Sequence, residues 1–237
     1  MKFIGIIPAH YNSTRLPGKP LAMIGGKPMV QRVYEQAAQA LDEVWVAYDS
    51  YRIGCTVADF GGIGVATSSA PQCGTDRCAE AIRKLPDLKN VVVVNIQCDE
   101  PFIDPGMIRA LTQYFIRSRA EIATVAYRST PQDLNNPGAV RVIMRDGHAD
   151  FSRVNIADKH NLQHLGIYVY RASTLIYLSN LIPTPNEKAL RLEQMRWIDN
   201  GHQVKCMILP GSKGISVNTP EDLIKANELW KQMRSKD

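Results

Sequence analysis

Four consecutive valines, Val91–Val94, constrain this chain more than any other segment. A strand with one wet face alternates apolar and polar residues, whereas an unbroken β-branched run belongs to a strand covered on both faces. That points to a sheet sandwiched between helices, and the preceding sequence has the matching rhythm. Phe3–Ile7, ending in Pro8-Ala9, reads as a buried strand. Pro28–Leu41 has helical spacing, with Met29, Val33, Ala37 and Leu41 on one stripe and Pro28 suited to the first turn. Val44–Ala47 and Ile63–Ala66 read as strands around a helix over Tyr51–Phe60, which Gly61-Gly62 closes. Thr75–Leu85 reads as a helix with Thr75 as its cap. The order β-α-β-α-β-α-β predicts a mostly parallel sheet with right-handed crossovers. Beyond it the spacing predicts a helix over Asp104–Arg117 and strands over Ile122–Tyr127, Ala139–Met144 and Leu165–Tyr170. Helices over Pro185–Asn200 and Thr219–Met233 close the chain. A turn at Asn135–Gly138 suggests an antiparallel extension. No repeat or linker splits the 237 residues, so a single domain over 1–237 is expected, and 45% hydrophobic residues suffice for its core.

Several function classes drop out. No apolar run approaches the ~20 residues of a membrane helix. The opening MKFIGIIPAH lacks the pattern of a secretion signal, so a cytoplasmic protein is expected. The net charge of +5 is too small to argue for nucleic acid; it fits a soluble surface or a pocket for an anion. Five scattered cysteines without paired CxxC elements argue for reduced thiols rather than zinc.

In a parallel sheet, ligands gather where strands end. After the first strand comes Pro8-Ala9-His10-Tyr11-Asn12-Ser13-Thr14-Arg15-Leu16-Pro17-Gly18-Lys19-Pro20-Leu21, with two cations and small hydroxyls in one loop. Such a loop could hold a polyphosphate. It is not a Walker motif, because Pro20 stands where a Ser or Thr should bind magnesium, and Gly62-Ile63-Gly64 lacks the third glycine of a dinucleotide fingerprint. Spacing alone favours a solvated turn. After the valines, Asn95-Ile96-Gln97-Cys98-Asp99-Glu100-Pro101 places two carboxylates at a strand end. They suit a magnesium site or, equally, a helix N-terminus before Asp104-Pro105.

The loop Pro8–Leu21 resembles the signature PARYxSTRLPGKPL of the 3-deoxy-manno-octulosonate cytidylyltransferases, the CMP-Kdo synthetases. The resemblance continues, in the family's order, through Gly74-Thr75-Asp76-Arg77, Gln97–Pro101, Phe151-Ser152-Arg153, His164–Arg171, Leu192–Arg196 and Asn218–Leu223. It implies a three-layer, Rossmann-like mixed sheet of the nucleotide-diphospho-sugar transferase type. It also implies attack of a sugar-acid hydroxyl on the α-phosphorus of CTP, with pyrophosphate leaving. Such a reaction needs charge on the triphosphate offset and the nucleophile held in line. Mg²⁺ can clamp phosphate oxygens and acidify the hydroxyl, which makes a dedicated base dispensable.

By this resemblance Arg15, Lys19 and Asp99 are the catalytic residues. Pro8, Ala9, His10, Ser13, Gln72, Gly74, Thr75, Arg77 and Gln97 join them at the nucleotide, and Asp99 with Asn218 at Mg²⁺. Arg153, His164, Tyr168, Glu193 and Gln194 match positions lining the acceptor pocket, where an Arg suits a carboxylate. Duller readings exist for these five: a surface charge, a satisfied histidine, a strand aromatic and a solvated helix face. The implied partners are CTP and a small anionic acceptor, with neither nucleic acid nor membrane. A homodimer is expected from the family, with Ile122–Met144 as the candidate contact.

Departures from the family's pattern cluster at the metal and the acceptor. His10 replaces Arg, Cys73 replaces Ser, Cys98 replaces Gly, Asn218 replaces Asp and Ala157 replaces Pro. Asn218 keeps a carbonyl oxygen but loses the charge, which weakens a metal site. Only Val154–Gln163 fills what is a longer segment in the family. Two alternatives follow: a cytidylyltransferase for another anionic acceptor, such as an 8-amino octulosonate or an alkyl phosphonate, and a nucleotide-binding paralogue that has lost catalysis.

Overall fold

The structure is a computed structural model that describes residues 1–129, 139–153, 161–211 and 214–235. Its contacts divide the chain into two compact units.

The first unit comprises Lys2–Asp87, Asn95–Arg109 and Gly214–Asp237. Its strands are β1 (Lys2–Ala9), β4 (Glu43–Tyr48) and β5 (Ile63–Ala66), with the end of β6 (Val91–Ile96) beside β1. β1 pairs parallel to β4, from Ile4 opposite Glu43 to Ala9 opposite Tyr48, and β4 parallel to β5. Helices α1 (Met29–Ala38), α2 (Tyr51–Asp59) and α3 (Gly74–Ile82) make the crossovers. The expected stripe on α1 is buried at Met29, Val33 and Ala37, with Leu41 beyond the helix end. Pro28 departs from expectation. A two-residue hairpin joins β2 (Met23–Ile24) to β3 (Lys27–Pro28), its turn made by Gly25 and Gly26 at positive φ. Pro28 is thereby extended, and the helix starts one residue later. Likewise Cys73, not Thr75, occupies the N-cap of α3, and Thr75 lies buried in the first turn.

The second unit comprises Met1, Leu88–Val94 and Ala110–Lys213. It holds the valines, each at most 6% exposed as the pattern requires. α4 (Pro105–Ser118) leads to β7 (Ile122–Arg128), which is interior: β10 (Leu162–Arg171) pairs with it antiparallel and β11 (Val204–Leu209) parallel. The antiparallel extension is present. β8 (Arg141–Arg145) pairs with β10 and with β9 (His148–Ser152), across Asp146 and Gly147 at positive φ. The turn expected at 135–138 and residues 154–160 of the short segment lie outside the described residues.

The helix expected over Pro185–Asn200 is two. After α5 (Ala172–Ser179), α6 (Pro185–Leu190) stops where Arg191 turns left-handed at φ 53°, and α7 (Gln194–Asp199) follows. Arg196 of α7 reaches back to the Glu187 carboxylate with bonds of 2.8 and 2.6 Å. This bidentate pair links the two short helices. The last helix, α8 (Pro220–Arg234), belongs to the first unit and starts in a full capping box. Thr219 Oγ1 accepts from Asp222 N, and Asp222 Oδ2 accepts from Thr219 N.

Candidate active site

A cavity of about 430 Å³ opens in the first unit where β1 and β6 end. The sequence places it there: Pro8 closes β1, the loop after it carries the cations, and Gln97, Cys98 and Asp99 follow β6. The loop is pinned by the Tyr11 carbonyl, which accepts from both Ser13 N and Gly18 N at 3.0 Å. Gly18 takes a left-handed conformation at φ 67°, which suits glycine, and delivers Lys19 into a short 3₁₀ turn.

Lys19 organises the chemistry. Its ammonium donates to Asp99 Oδ2 at 2.9 Å and, at 3.4 Å, to Asn218 Oδ1. Asn218 Oδ1 also accepts from Arg15 Nη2 at 2.9 Å. The backbone fixes this meeting. Val217 N donates to the Asp99 carbonyl at 2.8 Å, and the Asn218 amide joins the capping box of α8 through Asp222. Two cations and two oxygen donors that are distant in sequence are therefore held together by one 3₁₀ turn, one strand end and one helix start.

The other flank of the cavity carries a buried Asp49–Arg77 ion pair with half-exposed His10 against it. Asp49, just past β4, has a side chain only 5% exposed. It accepts from Tyr11 N at 3.0 Å and Arg77 Nη2 at 3.1 Å, and its Oδ2 meets His10 Nδ1 in a short contact. Burial alone would raise the pKa of Asp49, but the His10 and Tyr11 hydrogen bonds and the Arg77 charge outweigh it and hold it below its usual range. Arg77 also donates to Thr67 Oγ1 and the Ser68 carbonyl, so it ties together the segments that follow β1, β4 and β5.

Of the residues expected at a nucleotide, Pro8, His10, Ser13, Arg15, Lys19, Gln72, Gly74, Arg77, Gln97 and Asp99 all line this cavity. Ala9 and Thr75 do not; both are buried. A Cβ at Gly74 would come within 3.1 Å of the Gln97 side-chain amide and 3.2 Å of Pro8, so a larger residue there would make those neighbours give by a few tenths of an ångström. Cys98 also lines the wall; burial, with the Asp99 charge adding and Lys19 opposing, pushes its thiol up to about 12, so it is a neutral packing group at pH 7. Sequence reading missed Asp49. An acidic residue just beyond a parallel strand was the available signal.

The five acceptor candidates belong to the second unit. His164 and Tyr168 are buried on β10, with ring centroids 5.3 Å apart; Phe151 abuts His164 at 4.9 Å and Trp197 abuts Tyr168 at 4.9 Å. A register shift in the β7–β10 pairing falls between Leu165 and Tyr168. Glu193 is the N-cap of α7, and Gln194 is buried beside it. Arg153 donates from Nε to the Leu190 carbonyl at 2.7 Å and from Nη2 to the Arg191 carbonyl at 3.2 Å. It thus closes the C-terminus of α6. Among the described residues, no three His, Cys, Asp or Glu side chains gather as a metal-binding group.

Comparison with known proteins gives this arrangement its setting. The family model described as cytidylyltransferase matches residues 4–205. The 3-deoxy-manno-octulosonate cytidylyltransferase of Parabacteroides distasonis is 43% identical over 95% of this chain and 97% of that protein. This chain belongs to the 3-deoxy-manno-octulosonate cytidylyltransferase family. It is an enzyme of the CTP-dependent nucleotidyltransferase class. The protein of the same description from Vibrio vulnificus is 39% identical over 97% of this chain and 98% of its own length. The structure of CMP:2-keto-3-deoxy-manno-octonic acid synthetase complexed with CTP superposes with a TM-score of 0.89, at 35% identity, over 98% of this cytidylyltransferase and all of that chain. A 4-diphosphocytidyl-2C-methyl-D-erythritol synthase from Anaerococcus prevotii, 14% identical with a TM-score of 0.65 over 97% of this chain and 96% of that one, shares the fold. The Rossmann-like mixed α/β class expected from the sequence is the one found.

Proposed function

We propose that this enzyme transfers CMP from CTP to 3-deoxy-manno-octulosonate with release of pyrophosphate. The observation that carries the reading is the convergence of Arg15, Lys19, Asp99 and Asn218 beside the cavity after β1. A nucleoside triphosphate brings about four negative charges, which fixed cations must offset before an anionic acceptor can approach. Arg15 and Lys19 supply that charge. Ser13 and Gln72 add hydrogen bonds, and Gly74 lets the nucleotide come close to backbone. Arg77 acts mainly by holding the wall, since its donors are engaged with Asp49, Thr67 and Ser68.

The donor set fits a divalent cation of the Mg²⁺ type. Asp99 and Asn218 already aim one carboxylate and one amide oxygen at a single positive group, the Lys19 ammonium. Hard oxygens in that number leave room for phosphate and water. Asp99 and Asn218 would hold the ion, which when bound offsets charge on the transferring phosphoryl group. His164, Tyr168, Glu193 and Gln194 read the sugar acid, and Arg153 shapes that region through α6. A homodimer in the cytoplasm completes the reading and rests on the family resemblance. No described helix is long and apolar enough to cross a membrane.

Pyrophosphate release, measured with each of the four nucleoside triphosphates against 3-deoxy-manno-octulosonate, an 8-amino octulosonate and alkyl phosphonates, tests the proposal. CTP with 3-deoxy-manno-octulosonate should give the highest kcat/KM, and Asp99→Ala should abolish it. A preference for another acceptor, or no turnover with any, would overturn it.

A further inference from the structure

Thr124 is a polar residue in the otherwise apolar strand segment Ile122–Ala126, and it is completely buried. Its hydroxyl makes two contacts. Thr124 Oγ1 lies 2.6 Å from the Ile167 carbonyl and 2.8 Å from His164 Nε2. A carbonyl oxygen can only accept, so the single hydroxyl proton goes to Ile167. The same oxygen must then accept at its other contact, which requires a proton on His164 Nε2. The register shift between Leu165 and Tyr168 accompanies this arrangement, setting the Ile167 carbonyl against the hydroxyl. Phe151 and Tyr168 contact the imidazole and hinder a flip of the ring.

We propose that Thr124 is a positioning residue that fixes His164 as its Nε2–H tautomer, so that Nδ1 is the ring atom through which His164 accepts a hydrogen bond from a hydroxyl of the acceptor sugar. The second half rests on the reading of His164 as an acceptor-binding residue; the first half, for the neutral ring, stands on geometry alone. The opposite tautomer would set two lone pairs against each other in a buried site, a loss that favours the Nε2–H form by about tenfold to a hundredfold. Control of a histidine by the partner of its far nitrogen is the general device by which proteins decide what the near nitrogen can do.

The test uses the full chain labelled with ¹⁵N-histidine. Long-range ¹H–¹⁵N correlation spectra distinguish the tautomers, and a His164→Gln difference spectrum assigns the signal among the five histidines. Wild type should show the Nε2–H pattern. Thr124→Val should lose it and raise KM for the acceptor at least about tenfold with KM for CTP unchanged. Thr124→Ser should restore both. An Nδ1–H pattern in wild type would overturn the proposal whatever the variants do, and that measurement needs no variant beyond the assignment. A tautomer lost in Thr124→Val with the acceptor KM unmoved would overturn the positioning role. An Nε2–H pattern in a protein that prefers another acceptor would leave the tautomer assignment standing and remove only the substrate reading.

Discussion

Asn218→Asp probes the proposed metal site directly. The asparagine oxygen lies 3.4 Å from Lys19 Nζ, and Lys19 Nζ lies 2.9 Å from Asp99 Oδ2. At an effective dielectric of about 20, a carboxylate at 218 would attract the Lys19 ammonium by about 5 kcal/mol. The two distances, laid end to end, put the oxygens of 218 and 99 at most about 6.3 Å apart, so their mutual repulsion is at least about 2.6 kcal/mol. Lys19 and Asp99 are about a fifth exposed, so solvent reduces both figures, and exposed Arg15 adds about 1 kcal/mol at most. Without a metal ion, attraction to Lys19 and Arg15 less the repulsion from Asp99 leaves at most about 3 kcal/mol before solvent screening. A divalent ion doubles the attractive part and leaves the repulsion between carboxylates unchanged. The difference survives screening as at least about 1.4 kcal/mol, or tenfold in affinity. Pyrophosphate release at saturating CTP, titrated with Mg²⁺, should therefore half-saturate at a concentration at least about tenfold lower in Asn218→Asp than in wild type. KM for CTP should stay level or rise, because the new charge competes with triphosphate for Lys19. If the folded variant half-saturates with Mg²⁺ where wild type does, position 218 is not at the metal and this reasoning fails.

Two further perturbations test what supports the site. Gly25→Ala would put a Cβ 2.0 Å from Trp230 Cδ1 at a backbone φ of +54°. Trp230 must leave Arg32, whose guanidinium lies 3.5 Å from its ring, so a loss of about 3 kcal/mol in denaturant unfolding and a raised KM for CTP are expected; an unchanged midpoint would show that α8 is not clamped there. Asp49→Asn should cost about 3 kcal/mol at pH 7 by breaking a buried pair with Arg77. The folded pKa of Asp49 lies below its unfolded value, so the carboxylate's contribution is complete above the unfolded pKa and is lost as pH falls through the folded one. Wild type and variant stabilities should therefore converge below about pH 4, and parallel pH curves would refute the assignment.

The parallel half of the fold was legible because buried parallel strands announce themselves: the valine run, and Phe3–Ile7 ending at a proline. The loop after β1 stood out as a candidate nucleotide site only through family resemblance, since its spacing alone reads as a solvated turn. Segments set by tertiary contacts were not legible. Nothing local to Arg191 says that the chain turns there; that follows from Arg196 pairing with Glu187 and Arg153 holding the end of α6. β11 was missed because Val204–Leu209 alternates only weakly and depends on β7 for its place. The hairpin of β8 and β9 carried a readable signal, Asp146-Gly147, that went unused. Thr124 matters only once the irregular stretch of β10 brings His164 and Ile167 to it, and no residue count along β7 reveals that.

Arg15 and its amide partner Asn218 are 203 positions apart. A ribosome therefore emits the loop after β1 and the acidic end of β6 long before the segment that joins them. During that interval a partly synthesised chain carries Lys19 and Asp99 without the oxygen that gathers the two basic side chains. The contact that gathers Arg15 and Lys19 at Asn218 is thus made only once the segment ahead of α8 has emerged, and release of α8 from its tryptophan clamp would also loosen β2, whose Met23 carbonyl accepts from Asn227.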